Sequence, residues 1–205
     1  MILAAAMNFG KVGETFGPVD DAIARIRRGD GDALGALLSR YQHRLYRFPS
    51  RLTQDPAASE DLFQQTWLRV MEKIGRYDAR GSFETWLFSV AHNLAIDYLR
   101  RQRGSSLDAP DDSGTAPVER LAAAGPDPLE QLLDFERGAM LAAAVGELPA
   151  IHREVLTLRF EEEMKLEQIA EVAGVPLSTV KSRLRRALDS LRAALESQLS
   201  RRRGK

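Results

Sequence analysis

The stretch LEQIAEVAGVPLSTVKSRLRRALDSL, residues 166–191, decides the fold. Apolar residues recur in it every three or four positions, the period of a helix buried along one side, and Gly174 interrupts that period. Small Ala170 lets a second helix cross closely, Gly174 admits the positive φ of a tight turn, and Val175 with Val180 closes a small core between the two helices. This is the spacing of a helix-turn-helix, although two helices joined by an ordinary glycine turn carry the same marks. In the second helix Val180, Leu184, Ala187, Leu188 and Leu191 form the apolar stripe, leaving Ser178, Lys181, Ser182, Arg185 and Arg186 together on the other side. Lysine and arginine bond guanine edges and phosphates. A merely solvated face more often mixes signs at i and i+4, whereas here the acid, Asp189, stands at the far end.

Helical period continues outward in both directions, and no stretch alternates with period two, so the chain is expected to be all-α. A second group of helices begins at about Leu129, is broken at Leu148-Pro149, continues over Ile151 to Phe160, and ends with a long helix from about Leu177 to Gln198. Towards the N-terminus three stripes appear: Leu34, Leu37, Leu38, Tyr41 and Leu45; Phe63, Trp67, Val70, Met71 and Ile74; Phe83, Trp86, Leu87, Val90 and Leu94. A short helix near Ala22 to Arg27 joins them, Asp30 and Ser82 are expected N-caps, and GRYDARGS (75–82) is a turn-rich connection. Pro49 is expected to kink or end its helix near Phe48. The architecture read from this pattern is two small helical domains, 20–103 and 128–199, the second holding the helix-turn-helix. A flexible acidic linker over 104–127 would join them, with a loose tail at 1–19 and a frayed basic tail at 200–205.

Net charge is zero, but 176–205 carries nine Lys/Arg against two acids while 104–136 carries eight acids against one arginine. The absence of cysteine excludes disulfides and thiolate metal sites, and no apolar run approaches the roughly 20 residues of a membrane span. A cytoplasmic protein is expected. MILAAAMNFG at the start is apolar but short and lacks a basic leader, so it does not read as a signal peptide. His43, His92 and His152 stand alone, without a Ser/His/Asp grouping or a phosphate-cradling glycine loop; no catalytic residue, metal or cofactor is expected.

Two further helices are two-sided. Opposite the third stripe lie Ser89, Asn93, Asp97, Arg100 and Arg101, ending in the basic RRQR (100–103). Asparagine reads bases and arginines suit phosphates, but the same residues could be a solvated surface. The second stripe's helix has Asp61, Gln64 and Gln65 beside Leu68, with the same ambiguity. Trp67 and Trp86 fall on apolar stripes and read as packing.

Taken together, SEDLFQQTWLRVMEKI (59–74), SFETWLFSVAHNLAIDYLRRQR (82–103), and LPAIHREVLTLRF with the helix-turn-helix (148–160, 166–188) resemble the extracytoplasmic-function class of bacterial RNA polymerase sigma factors. The resemblance runs from about Asp21 to Leu195 apart from the linker. It implies core RNA polymerase and promoter DNA as partners, with an anti-sigma factor as regulator. It assigns polymerase binding to Asp61, Gln64, Gln65 and Leu68. Minus-10 recognition falls to Tyr77, Ser89, Asn93, Asp97, Arg100 and Arg101, with the GRYDARGS loop matching one that receives a flipped-out base. Minus-35 recognition falls to Ser178, Thr179, Lys181, Ser182, Arg183, Arg185 and Arg186. The linker would thread the polymerase cleft.

Three features depart from the family's pattern. His92 replaces an arginine and is expected to alter a strand contact, Pro49 interrupts a helix, and Glu161 to Glu163 are expected to repel phosphate or face polymerase. Two other functions fit part of the chain: an autonomous helix-turn-helix regulator, which leaves the first domain's polar faces unexplained, and a sigma-like decoy for an anti-sigma factor, which would not need a basic reading face.

Overall fold

The computed structural model describes residues 19–78, 81–105 and 138–203. Helices α1 (Val19–Arg27), α2 (Gly31–Thr53), α3 (Pro56–Lys73) and α4 (Phe83–Ser105) form the N-terminal part. A second group comprises α5 (described over 138–146), α6 (Ala150–Leu156), α7 (Leu166–Ala173) and α8 (Leu177–Arg203). No strand occurs among the described residues. The linker was expected over 104–127 and the tail over 1–19, but Gly104 and Ser105 close α4 and Val19 opens α1; the rest of both, the helix start expected near Leu129, and residues 79–80 and 204–205 lie outside the described residues.

Local chemistry sets the helix ends. Asp30 accepts from the backbone N–H groups of Asp32 and Ala33 as the N-cap of α2. Asp55 caps α3 through Ala58 N–H, ahead of Pro56 at the first turn, where a missing N–H costs nothing. These amide bonds, aided by the Tyr98 hydroxyl, hold the Asp55 carboxyl below the usual carboxylate range. Ser82 directly precedes α4, and its carbonyl accepts from Trp86 N–H.

Pro49 does not end α2. The helix runs on to Thr53 with Pro49 buried inside it, and Gln54 closes it in the left-handed conformation at φ 57°. The side chains of Ser50 and Thr53 bond back to the carbonyls of Tyr46 and Pro49. Proline removes a single donor, and α2 packs against α3, α4 and α6, so tertiary burial outweighs the propensity penalty. The C-terminal end also differs from expectation: α8 includes 201–203 rather than fraying after Leu199.

The larger difference lies between the two helical groups. They pack directly, α2 on α6 and α4 on α7, and their buried side chains form one contiguous cluster from Ile23 to Ala187. This second partner explains α4. Its expected stripe included Val90 and Leu94, yet Phe88, Ala91, His92 and Ala95 are the more deeply buried. A helix covered on two sides buries more than one stripe. Trp67 is fully buried and Trp86 partly so, stacked at a tilt against Tyr77 and Phe83, consistent with packing roles.

Candidate polymerase and nucleic-acid interfaces

The helix-turn-helix forms as its spacing dictates. Gly174 terminates α7 at φ 62°, its N–H and that of Val175 returning to carbonyls of Ala170 and Glu171, and Val180 is buried. On α8, Ser178, Lys181, Arg185 and Arg186 are exposed, whereas Thr179, Ser182 and Arg183 are half-buried. The Ser182 hydroxyl donates to the Thr179 carbonyl at 2.9 Å. Leu188 is exposed, so the apolar stripe of α8 is narrower than its spacing suggested. Arg183 and Arg186 lie near His152 of α6. Burial first, then the repulsion of Arg186 and Arg183, holds that imidazole below its ordinary pKa of 6.5.

On α4, Asn93, Asp97, Arg100 and Arg101 are exposed, and Ser89 is half-buried with its hydroxyl bonded to the Thr85 carbonyl. Asp97 pairs loosely with Arg100 at 3.5 Å. Tyr77 is not a surface group. Its ring packs edge-on against Phe83, 5.6 Å between centroids, and its hydroxyl donates to the Gly81 carbonyl. Burial raises its pKa. In this conformation Tyr77 anchors the loop ahead of α4, because an aromatic among apolar residues gains more from packing than from a wet face. On α3, Asp61, Gln64, Gln65 and Leu68 are all exposed and share one side of the helix, opposite Leu62, Thr66 and Val70.

The structure also brings together residues that no local spacing connects. Arg153, buried in α6, donates to the carbonyls of Gly146 and Leu148 in its own half and, at 2.7 Å, to that of Leu52 at the end of α2. Gln54 returns the contact, donating to the Gly146 carbonyl at 2.8 Å. The guanidinium thus satisfies the C-terminal carbonyls of two helices, where partial negative charge accumulates. His92 lies 2.8 Å from Glu154, with both side chains nearly buried. In this conformation His92 thus sits at the contact between the domains.

In this conformation Glu161 and Glu162 lie against the other domain. A π turn over Thr157–Glu161 widens the end of α6, and Glu163 adopts a left-handed φ of 54° before buried Met164. This bend points both carboxylates at α2. Glu162 lies 2.6 Å from Arg44 and 3.4 Å from Arg47, and Glu161 lies 3.0 Å from Arg47 and from Arg51. The Arg51 Nε and His92 Nδ1 approaches are close polar contacts rather than aligned hydrogen bonds. Glu84 holds Arg44 from the other side at 2.8 Å. Burial would lower the pKa of Arg44, but hydrogen bonds to Glu84 and Glu162 outweigh it and keep the guanidinium firmly charged. The Tyr41 hydroxyl beside Glu84 is pushed up to about 12 by burial and by that carboxylate.

Among the described residues no cluster of His, Asp or Glu could hold a metal, and no helix is long and apolar enough to cross a membrane.

Residues 37–105 match the family Sigma-70 region 2, and residues 144–193 match Sigma-70, region 4. The chain is 28% identical over 176 residues to the ECF RNA polymerase sigma factor SigW of Bacillus subtilis, covering 84% of this chain and 94% of that protein. It is 32% identical over 171 residues to the RNA polymerase sigma factor CarQ of Myxococcus xanthus, covering 83% and 94%. Its fold resembles CnrH in complex with the cytosolic domain of CnrY, with TM-score 0.62 at 22% identity over 88% of this chain and 99% of that one. The sigma factor RpoE in complex with the anti-sigma factor NepR from Bartonella quintana gives 0.61 at 21% identity, covering 80% and 96%. With two sigma regions in order and relatives aligned over nearly their whole length, the chain belongs to the extracytoplasmic-function RNA polymerase sigma factors.

Proposed function

We infer that this protein is an alternative sigma factor: it binds core RNA polymerase, recognises minus-35 and minus-10 promoter elements, and promotes initiation. The observation that carries the reading is the coexistence on one chain of three separate polar faces, on α3, α4 and α8, each backed by a fully committed core. An autonomous regulator would use only the face on α8.

In this reading Asp61, Gln64, Gln65 and Leu68 dock on polymerase, Ser89, Asn93, Asp97, Arg100 and Arg101 meet the minus-10 strand, and Ser178, Thr179, Lys181, Ser182, Arg183, Arg185 and Arg186 serve the minus-35 major groove. Tyr77 supports the minus-10 loop from within. The acid-rich segment 104–127 occupies the polymerase cleft, and the protein itself makes and breaks no bonds. It works where polymerase works, in the cytoplasm, and an anti-sigma protein is its expected regulator; the structurally similar RpoE is in complex with an anti-sigma factor.

The test is to combine the purified protein with core polymerase and sequence the transcripts it initiates. A shared minus-35 and minus-10 motif upstream of their starts is expected, and D61A/Q64A should weaken holoenzyme assembly without changing helical circular dichroism. Random starts, or assembly of the variant at wild-type affinity, would refute the reading or its polymerase face respectively.

A further inference from the structure

The row of cations on α2 has no assigned role. Arg40, Arg44, Arg47 and Arg51 follow one another at spacings of four, three and four, which places them on one side of the helix, and no acid occurs between Ser39 and Thr53. At 1.5 Å per residue the last three, Arg44 to Arg51, span about 10 Å, a length over which one strand of a duplex carries about three phosphates. In the structure the last three members of this row are occupied. Arg44, Glu162, Arg47, Glu161 and Arg51 alternate in sign, each carboxylate lying between two guanidinia as successive phosphates of a strand would. Both carboxylates come from the other domain.

On the promoter-binding function proposed above, on which this inference rests, this cover does not survive. Elements named for positions 35 and 10 are about 25 base pairs apart, or about 85 Å at 3.4 Å per step. Here α4 packs directly against α7 of the helix-turn-helix, and helices of 23 and 27 residues, α4 and α8, extend only about 35 and 40 Å. The domains must part before both elements are engaged, and parting removes Glu161 and Glu162 from α2.

We propose that the Arg44, Arg47 and Arg51 row of α2 is a further binding site for a nucleic-acid phosphate backbone, and that Glu161 and Glu162 stand in for phosphates to keep it closed until the domains separate. The linear, one-signed row favours a phosphate chain over a protein surface, whose acids are interspersed with other groups. The site carries no sequence preference, since guanidinium–phosphate pairs fix register without reading bases. It adds affinity only after opening, so the free protein does not spread over the chromosome.

The experiment uses the full chain and a labelled duplex of mixed sequence lacking promoter elements. E161Q/E162Q should bind it at least about tenfold more tightly than wild type at low salt, with the slope of log affinity against log salt steeper by about two to three, near 0.9 per phosphate gained. Adding R47A/R51A should return affinity and slope to the wild-type values. An unchanged slope in the folded double variant overturns the proposal, as does a gain that persists in the quadruple variant or that appears for polyglutamate but not for DNA. Should the double variant fail to fold, E161Q alone, at the more accessible carboxylate, should steepen the slope by about one, and no change there would equally overturn it.

Discussion

Two helices of this protein carry rows of cations, and they meet opposite fates. On α8, Lys181, Arg185 and Arg186 are exposed near the start of the helix, and among the described residues no carboxylate pairs with them. On α2, Arg44, Arg47 and Arg51 are each held by a glutamate from the distant end of α6. Charge and spacing do not separate the two helices. What separates them is the surface set opposite: α8 shows its basic side outward, whereas α2 lies where a π turn and a left-handed Glu163 deliver acids. A basic helical face is thus an offer of binding, and tertiary structure decides whether it is already taken.

The seam between the domains can be broken most severely at Arg153. Arg153→Ala leaves the carbonyls of Leu52, Gly146 and Leu148 without this donor in a buried setting, and should lower unfolding stability by about 3 kcal/mol, as read by urea titration. A loss below about 1 kcal/mol would mean that water replaces the guanidinium freely and that the seam is loosely packed.

The contrast between open and covered rows is sharpened by exchanging their losses. Arg185→Ala should remove about 1 to 3 kcal/mol of discrimination and flatten the preference among minus-35 variants in a reporter panel. Arg47→Ala should leave the order of preference intact. If the two variants exchanged these outcomes, the reading face would have been placed on the wrong helix.

A smaller effect should appear at His152. Its folded pKa lies below the unfolded 6.5, so its contribution to stability is present above about pH 6.5 and is lost as pH falls through the folded value. Phosphates bound at Arg183 and Arg186 would offset the repulsion these cations exert, so NMR titration should show the His152 pKa rising when minus-35 DNA binds. No movement would place both arginines away from the backbone.

The smallest expected effect is at Glu163. Glycine adopts its φ of 54° without the steric penalty of a side chain, so Glu163→Gly should raise stability by about 1 kcal/mol in thermal or urea unfolding. A destabilised variant would show that the glutamate side chain itself supports the bend.

Much of the molecule was legible locally. The helix-turn-helix was, because Ala170, Gly174 and Val180 act on neighbours within a few residues, and Gly174 does adopt the expected positive φ. Asp30 was legible as a cap for the same reason. The exposed faces of α3 and α4 followed from period alone. The burial of Tyr77 was not legible, because a turn-rich segment gives no sign of the aromatic pocket beneath it. Pro49 was misjudged because a helix rule weighs one lost donor and omits the partners that hold α2 from several sides.

The seam was not legible at all, although half of its chemistry stood in plain sequence. The row at 40, 44, 47 and 51 has helical spacing and no acid, and could have been marked as a site of unknown occupancy. Its partners stand more than a hundred residues away, and nothing in Glu161 or Glu162 indicates which cation they meet. Sequence by itself determined the helices, their two-sidedness and the reading motif, since these depend on periodicity and short-range sterics. Only the tertiary structure decided that His92, Arg153 and the glutamates join the domains, because pairing across a long chain depends on where packing brings charges together and water is excluded.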